Sequence, residues 1–167
     1  IAVDGKTLRR SFDRARGQGP IHMISAWAAG QRLVLGQRAV DAKDNEITAI
    51  PELLALLTLK GAIVTIDAIG CQKKIAAAIR EKGADYLLAL KENQPTLYRD
   101  VADFLGEQRA AGFRDCAAGS WAAVETTDAD HGRVETRRHW IVGDIAWLQE
   151  RHPAWPGCRA NAASFGA

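Results

Sequence analysis

The chain has 167 residues, 47% of them hydrophobic and 25% charged, with a formal net charge of only +2. That length suffices for one domain with a real core, and the composition is that of an ordinary globular protein rather than a polycation. No run nears the roughly 18 apolar residues of a membrane span, no signal-peptide pattern opens the chain, and Cys71, Cys116 and Cys158 form no CxxC pair, which argues against a disulfide framework or structural zinc and suits a reducing cytoplasm.

In chain order, Ile1–Val3 reads as a short apolar strand that stops on Asp4. Residues 5–20 are polar and basic, a loop with Gly17, Gly19 and Pro20. The apolar runs 21–29 and 32–40 are joined by Gly30-Gln31, a hairpin signal. "DAKDNE" (41–46) lacks the glycine a calcium loop needs and reads as a solvated connection, with Asn45 or Glu46 near a helix start. A helix follows, with Pro51 in its first turn and Gly61 as its stop. "AIVTI" (62–66) is β-branched and uninterrupted, the pattern of a central strand covered on both faces. Residues 71–82 predict a helix with Ile75 and Ile79 one turn apart. "DYLLAL" (85–90) predicts a buried strand, and 93–108 an amphipathic helix with Leu97, Val101, Phe104 and Leu105 on one side.

Beyond Gly112 the pattern changes to strands with polar turns, then one short helix at 144–150. The last stretch, "WPGCRANAASFGA", has neither periodicity nor a strand-like run. The expected architecture is an α/β mixed sheet in the order β-β-β-α-β-α-β-α, with strand four returning beside strand one. The expected divisions are a core at 1–111, a β-rich insertion at 112–150 and an irregular tail at 151–167.

The aspartates are the candidate chemistry. If strands one and four are parallel neighbours, Asp4 and Asp67 stand together off one sheet edge, where ligand sites of open α/β sheets lie. Two carboxylates there repel unless a cation separates them, and a hard divalent ion with oxygen ligands would do so. The alternatives stay open at this point: Asp67 as part of a capping turn, Asp4 as a turn residue before Gly5. Basic residues cluster beside acids at Lys6, Arg9, Arg10, Arg14 and Arg16 (with Asp4 and Asp13), and at Arg133, Arg137 and Arg138 (with Glu135, His131 and His139). Either cluster is a solvated face or a polyanion contact. The five tryptophans read as core or rim, and nothing around Cys71 suggests a nucleophile.

Four stretches, "IAVDGKTLRRSFD", "EITAIPELLALLTLKGAIVTIDAIGCQKKIA", "DYLLALKENQPTLYRDV" and "HGRVETRRHWIV", resemble the catalytic domain of bacterial insertion-sequence transposases of the DDE class, in the insertion sequence 4-like superfamily. The resemblance runs from residue 1 to about residue 157. It implies a ribonuclease H-like fold with a β-rich insertion after residue 112. It also implies that Asp4 and Asp67 are the first two catalytic acids, holding Mg²⁺ or Mn²⁺ (two ions) for cleavage and strand transfer on double-stranded DNA, at transposon ends and target. Lys6, Arg9, Arg10, Arg133 and Arg137 would contact phosphates, and such proteins act as dimers at paired ends.

Similar proteins carry the third acid on a later helix, in a pattern like His-Trp-x-Ile-Glu-Asn, and no such segment occurs here. Glu135 is the substitute candidate, against a reading as a salt-bridged surface residue. The non-Met start and the dissimilar tail suggest an incomplete or frameshifted chain, one that would not complete the reaction alone. The rival expectation is a non-catalytic, DNA-associating remnant that interferes with a full-length transposase. A ribonuclease H-like nuclease unrelated to transposition is a third.

Overall fold

The computed structural model describes residues 1–12, 17, 19–40, 46–130 and 133–166, with side chains excepted at 130, 133, 165 and 166. Asp13, Arg14, Arg16, Asp41, Asp44, Asn45 and His131 lie outside the described residues. The chain divides into two compact units, residues 1–94 with 154–157, and residues 95–153 with 158 onward.

The first unit is a five-stranded mixed sheet with two helices. Its strands are β1 (Ala2–Thr7), β2 (His22–Ala28), β3 (Leu33–Val40), β4 (Ile63–Ile66) and β5 (Asp85–Leu88), in the order β3-β2-β1-β4-β5. β1, β2 and β3 are antiparallel neighbours, while β1–β4 and β4–β5 are parallel. Strand four therefore does return beside strand one. Helices α1 (Glu46–Ala55) and α2 (Lys73–Glu81) supply the crossover segments.

Alternation builds the core. β2 turns His22, Ile24, Ala26 and Ala28 inward, and β4 turns Val64 and Ile66 the same way. Ala49, Ile50, Leu53 and Leu54 of α1 and Ile75 and Ile79 of α2 close over them in one cluster. Each buried Leu or Ile there contributes about 1.5–3 kcal/mol. Ile63, on the opposite face of β4, is 60% exposed. The expected burial of both faces thus fails at Ile63, because both helices of this unit pack on the face that carries Val64 and Ile66.

Three local expectations are corrected. β1 does not stop at Asp4; it continues through Gly5, Lys6 and Thr7, because β2 extends the antiparallel ladder as far as Thr7 opposite His22. Pro51 lies inside α1 rather than in its first turn, since the helix already begins at Glu46. Its missing N–H leaves only the carbonyl of Ile47 without a helical donor, in the exposed first turn. At the other end of α1, the Lys82 ammonium donates to the carbonyls of Ala55 and Leu57, both at 2.7 Å, and satisfies the helix terminus before Gly61 is reached.

The second unit holds α3 (Pro95–Ala110), α4 (Ala146–Arg151) and a three-stranded antiparallel sheet. That sheet comprises β6 (Trp121–Asp130), β7 (Arg133–Val142) and β8 (Asn161–Gly166) in sequential order. β8 corrects the reading of the tail as irregular. Its small residues carry little strand propensity, but the free edge of β7 offers a full set of backbone partners from Arg137 to Val142. Aromatic packing ties this unit together. The rings of Phe104 and Trp147 lie 4.8 Å apart, Phe113 and Trp121 stack at 4.5 Å, and the Arg109 guanidinium sits 5.3 Å from the centre of the Trp140 ring. The Asp100 carboxylate of α3 accepts from the Arg151 Nε at 2.6 Å and Nη2 at 3.0 Å, with His152 Nε2 at 2.8 Å. Among the described residues, no helix is long and apolar enough to cross a membrane.

Candidate functional site

Val3 of β1 and Ile66 of β4 are register partners in the parallel ladder, and both point into the core. Asp4 is the next residue of β1, and Asp67 is the residue directly after β4. Successive residues of an extended chain project to opposite faces, and Asp67 retains an extended backbone (φ −68°, ψ −178°). Both residues therefore turn to the face opposite the core, each one position beyond the paired Val3 and Ile66, and both are exposed. Asp4 continues a polar row: Ser25 lies opposite it on β2, and Gln37 Nε2 of β3 donates to the Ser25 hydroxyl at 3.0 Å. Lys6, two residues on, shares this face and is exposed.

Asp67 is anchored locally. One carboxylate oxygen accepts the Ile69 N–H at 3.2 Å, capping a single 3₁₀ turn at Ala68–Gly70. The capping alternative is thus realised for one oxygen. Gly70 is needed there, because a Cβ would lie 3.2 Å from Ile66 Cβ and closer still to its methyl. Two amides that the sequence reading passed over then fix the turn from the β5 side. Asn93 Nδ2 donates to Ala68 O at 2.5 Å and Gln94 Nε2 to Cys71 O at 2.9 Å. The available signal was two amides just before Pro95, at the end of a strand on the same sheet edge. Burial pushes the Cys71 thiol up to about 11, so it stays protonated near neutrality and offers no thiolate nucleophile.

The donors at Asp4 and Asp67 are hard oxygens, open to solvent on one face, which suits Mg²⁺ or Mn²⁺ with waters and substrate oxygens completing the sphere. Among the described residues, no group of three or more His, Cys, Asp or Glu side chains stands close enough to hold a metal by itself.

The other candidates are placed as follows. Arg9 and Arg10 lie in the exposed turn after β1, with Arg10 at φ +62°. That turn is held by Leu8 N–H donating to Ile21 O and Ile21 N–H donating to the Ser11 hydroxyl, both at 2.8 Å. Glu135 and Arg137 lie on β7, in the second unit, and pair with each other. The guanidinium donates from Nε at 3.0 Å and from Nη2 at 2.9 Å, and this bidentate bond raises the Arg137 pKa above its ordinary value. Arg133 begins β7, and its side chain lies outside the described residues.

A family model described as "Transposase DDE domain" matches residues 1–152. The chain belongs to the DDE transposase family. Its relatives include an "Uncharacterized protein in dhlA 3'region" of Xanthobacter autotrophicus, 46% identical over 95% of this chain and 51% of its own length. Also similar are two Escherichia coli K12 proteins. "Putative transposase YncI" is 48% identical over 87% of this chain and 56% of its own length, and "H repeat-associated putative transposase YhhI" is 46% identical over 87% of this chain and 36% of its own length. This DDE-family chain thus spans about a third to just over half of these relatives.

Membership places the two exposed carboxylates within the matched region, and Asn93 and Gln94 with them. One further group was missed in the sequence. Glu46, at the end of a polar connection in the sequence, is only 4% exposed and pairs with His22, also 4% exposed.

Proposed function

We propose that this chain carries part of a DNA transposase's phosphodiester-cleaving site, with Asp4 and Asp67 as two of its metal-holding acids on a ribonuclease H-like sheet. The observation that carries the reading is the parallel register of Val3 with Ile66, which puts the residue directly after each, an aspartate, on one exposed face. The sheet order β3-β2-β1-β4-β5 supports the fold assignment.

When bound, two divalent ions would supply activation of an attacking oxygen and stabilisation of a leaving one. The chain's own residues have simpler tasks. Asp4 would present its carboxylate from within β1 and Asp67 from the residue directly after β4, one position beyond the paired Val3 and Ile66, with the Ala68–Gly70 turn holding Asp67. Lys6, Arg9 and Arg10, shortly after Asp4 in the chain, would supply cations for contacts to DNA phosphates. Arg133 and Arg137 would add phosphate contacts from the hairpin, with Glu135 as candidate third acid.

A second reading, a DNA-associating chain without cleavage activity, draws support from one observation. The Glu135 carboxylate is already engaged at both oxygens by Arg137.

The test is Mn²⁺ titration of the full chain, with the free ion followed by electron paramagnetic resonance. Asp4→Asn and Asp67→Asn should each weaken binding at least tenfold with the circular dichroism spectrum unchanged, and Glu135→Gln should tell the readings apart. A loss as large as that for Asp4→Asn makes Glu135 the third acid. No loss, together with no cleavage of duplex DNA in Mn²⁺, favours the non-catalytic reading. Binding unaffected by either aspartate substitution removes the metal proposal altogether. Duplex binding should fall steeply with salt under both readings.

A further inference from the structure

We propose that Glu46 and His22 are positioning residues that hold the Asp4 strand from beneath. This rests on the reading of Asp4 and Asp67 as metal ligands.

Glu46 opens α1 and His22 opens β2, yet both side chains are almost fully buried, which for a glutamate is rare unless it is partnered. Glu46 Oε1 bonds His22 Nε2, and on the far side of the ring the Thr7 hydroxyl lies 3.0 Å from His22 Nδ1. Each ring nitrogen thus has a partner, Glu46 on one side and the Thr7 hydroxyl on the other. The chain of three links α1, β2 and β1.

The Glu46 carboxylate also lies directly against Gly5. A Cβ at position 5 would stand 2.6 Å from Glu46 Cδ and 2.9 Å from Oε2, so only glycine lets the strand and the carboxylate approach so closely. β1 is thus braced at two points just after Asp4: by the carboxylate at Gly5 and by the imidazole at Thr7, the register partner of His22. Val3, Gly5 and Thr7 share the core-side face, and Asp4 faces the other way. Glu46 is accordingly no ligand of the proposed ion. Its effect is exerted through the backbone, by limiting how far the Asp4 carboxylate can drift from Asp67. An apolar pair would fill the same space without braces at both points, and a lone buried Glu or His would be costly to keep. Metal sites demand ligand placement within about 0.5 Å, and loss of supporting groups typically weakens affinity by roughly 10–100-fold.

The experiment measures Mn²⁺ affinity of the full chain and its Glu46→Gln, Thr7→Val, Asp4→Asn, Asp67→Asn and Glu52→Gln variants, each first checked for its folded circular dichroism spectrum. Glu46→Gln should weaken binding about tenfold and Thr7→Val about threefold. Glu52→Gln, which removes only an exposed ion pair with Arg38, should leave it unchanged. Affinity lost in the two aspartate variants but intact in folded Glu46→Gln overturns the positioning role alone. Affinity intact in the aspartate variants overturns the metal reading, and this proposal with it. If Glu46→Gln does not fold, Thr7→Val decides, because it breaks only the link between β1 and the imidazole: a loss supports the brace, and unchanged affinity overturns it.

Discussion

The core of the first unit and the β6–β7 hairpin of the second are held together by different means. In the first, strands and helices share one apolar cluster, in which Ile24, Leu53, Leu54, Leu59, Ile75, Ile79 and Val64 are essentially inaccessible to water. In the second, the β6–β7 hairpin leaves Val124 57%, Val134 71% and Ile141 49% exposed. Its pairs are polar or ionic: Thr127 with Thr136 at 3.2 Å, Arg138 with Glu125 at 2.5 Å, and Arg137 with Glu135. Buried apolar surface is lost outright when a side chain is cut back, whereas an exposed ion pair is replaced by water at little cost. The proposed site follows the same division. Asp4 stands on β1 and Asp67 directly after β4, strands whose other face carries the buried Val3, Val64 and Ile66.

The largest expected effect comes from the cluster. Ile75→Ala should lower the stability of the chain by about 2–5 kcal/mol in urea unfolding, while Val134→Ala on the hairpin should stay within about 0.5 kcal/mol. Equal losses would break the contrast between this cluster and the hairpin. An intermediate effect is expected at Asp100. Its hydrogen bond from Arg151, with lesser help from His152, holds the carboxyl below the usual carboxylate range. Its contribution is therefore fully present above the unfolded pKa of about 3.9 and is lost as pH falls from there through the lowered folded value. Asp100→Asn should lower the unfolding midpoint at pH 6 and flatten its fall below about pH 4, read by thermal scans across that range. The smallest effect is expected for Arg138→Ala, whose exposed bond to Glu125 should leave the urea midpoint unchanged within error, at low and high salt alike. A clear loss there would mean that the hairpin depends on its ion pairs after all.

The residues of the proposed site repeat this pattern of what can be read locally. Asp67 was legible because an uninterrupted β-branched run announces β4 and the carboxylate comes directly after it. Asp4 was legible as a neighbour of Asp67, though not as a residue inside a longer strand. Asn93 and Gln94 look like ordinary loop amides until the turn at Ala68–Gly70 is seen within their reach. Glu46 follows a polar run and resembles it, so its burial against Gly5 had no sequence signal except the glycine itself.

What the sequence determined alone was governed by near neighbours: the hairpin of β2 and β3, the apolar stripes of α1 and α2, the existence of strands β4 and β5 though not their burial (Leu87 of β5 is 58% exposed), and the resemblance that its long motifs carry. What only the tertiary structure decided was pairing between distant segments. β1 runs on to Thr7 because β2 lies beside it, β8 forms because β7 has an open edge, and Glu46 is buried because His22 and Gly5 meet it from two other elements. Backbone hydrogen bonds and buried polar pairs are satisfied by whichever partner the fold brings near, and that partner is written nowhere in the local pattern.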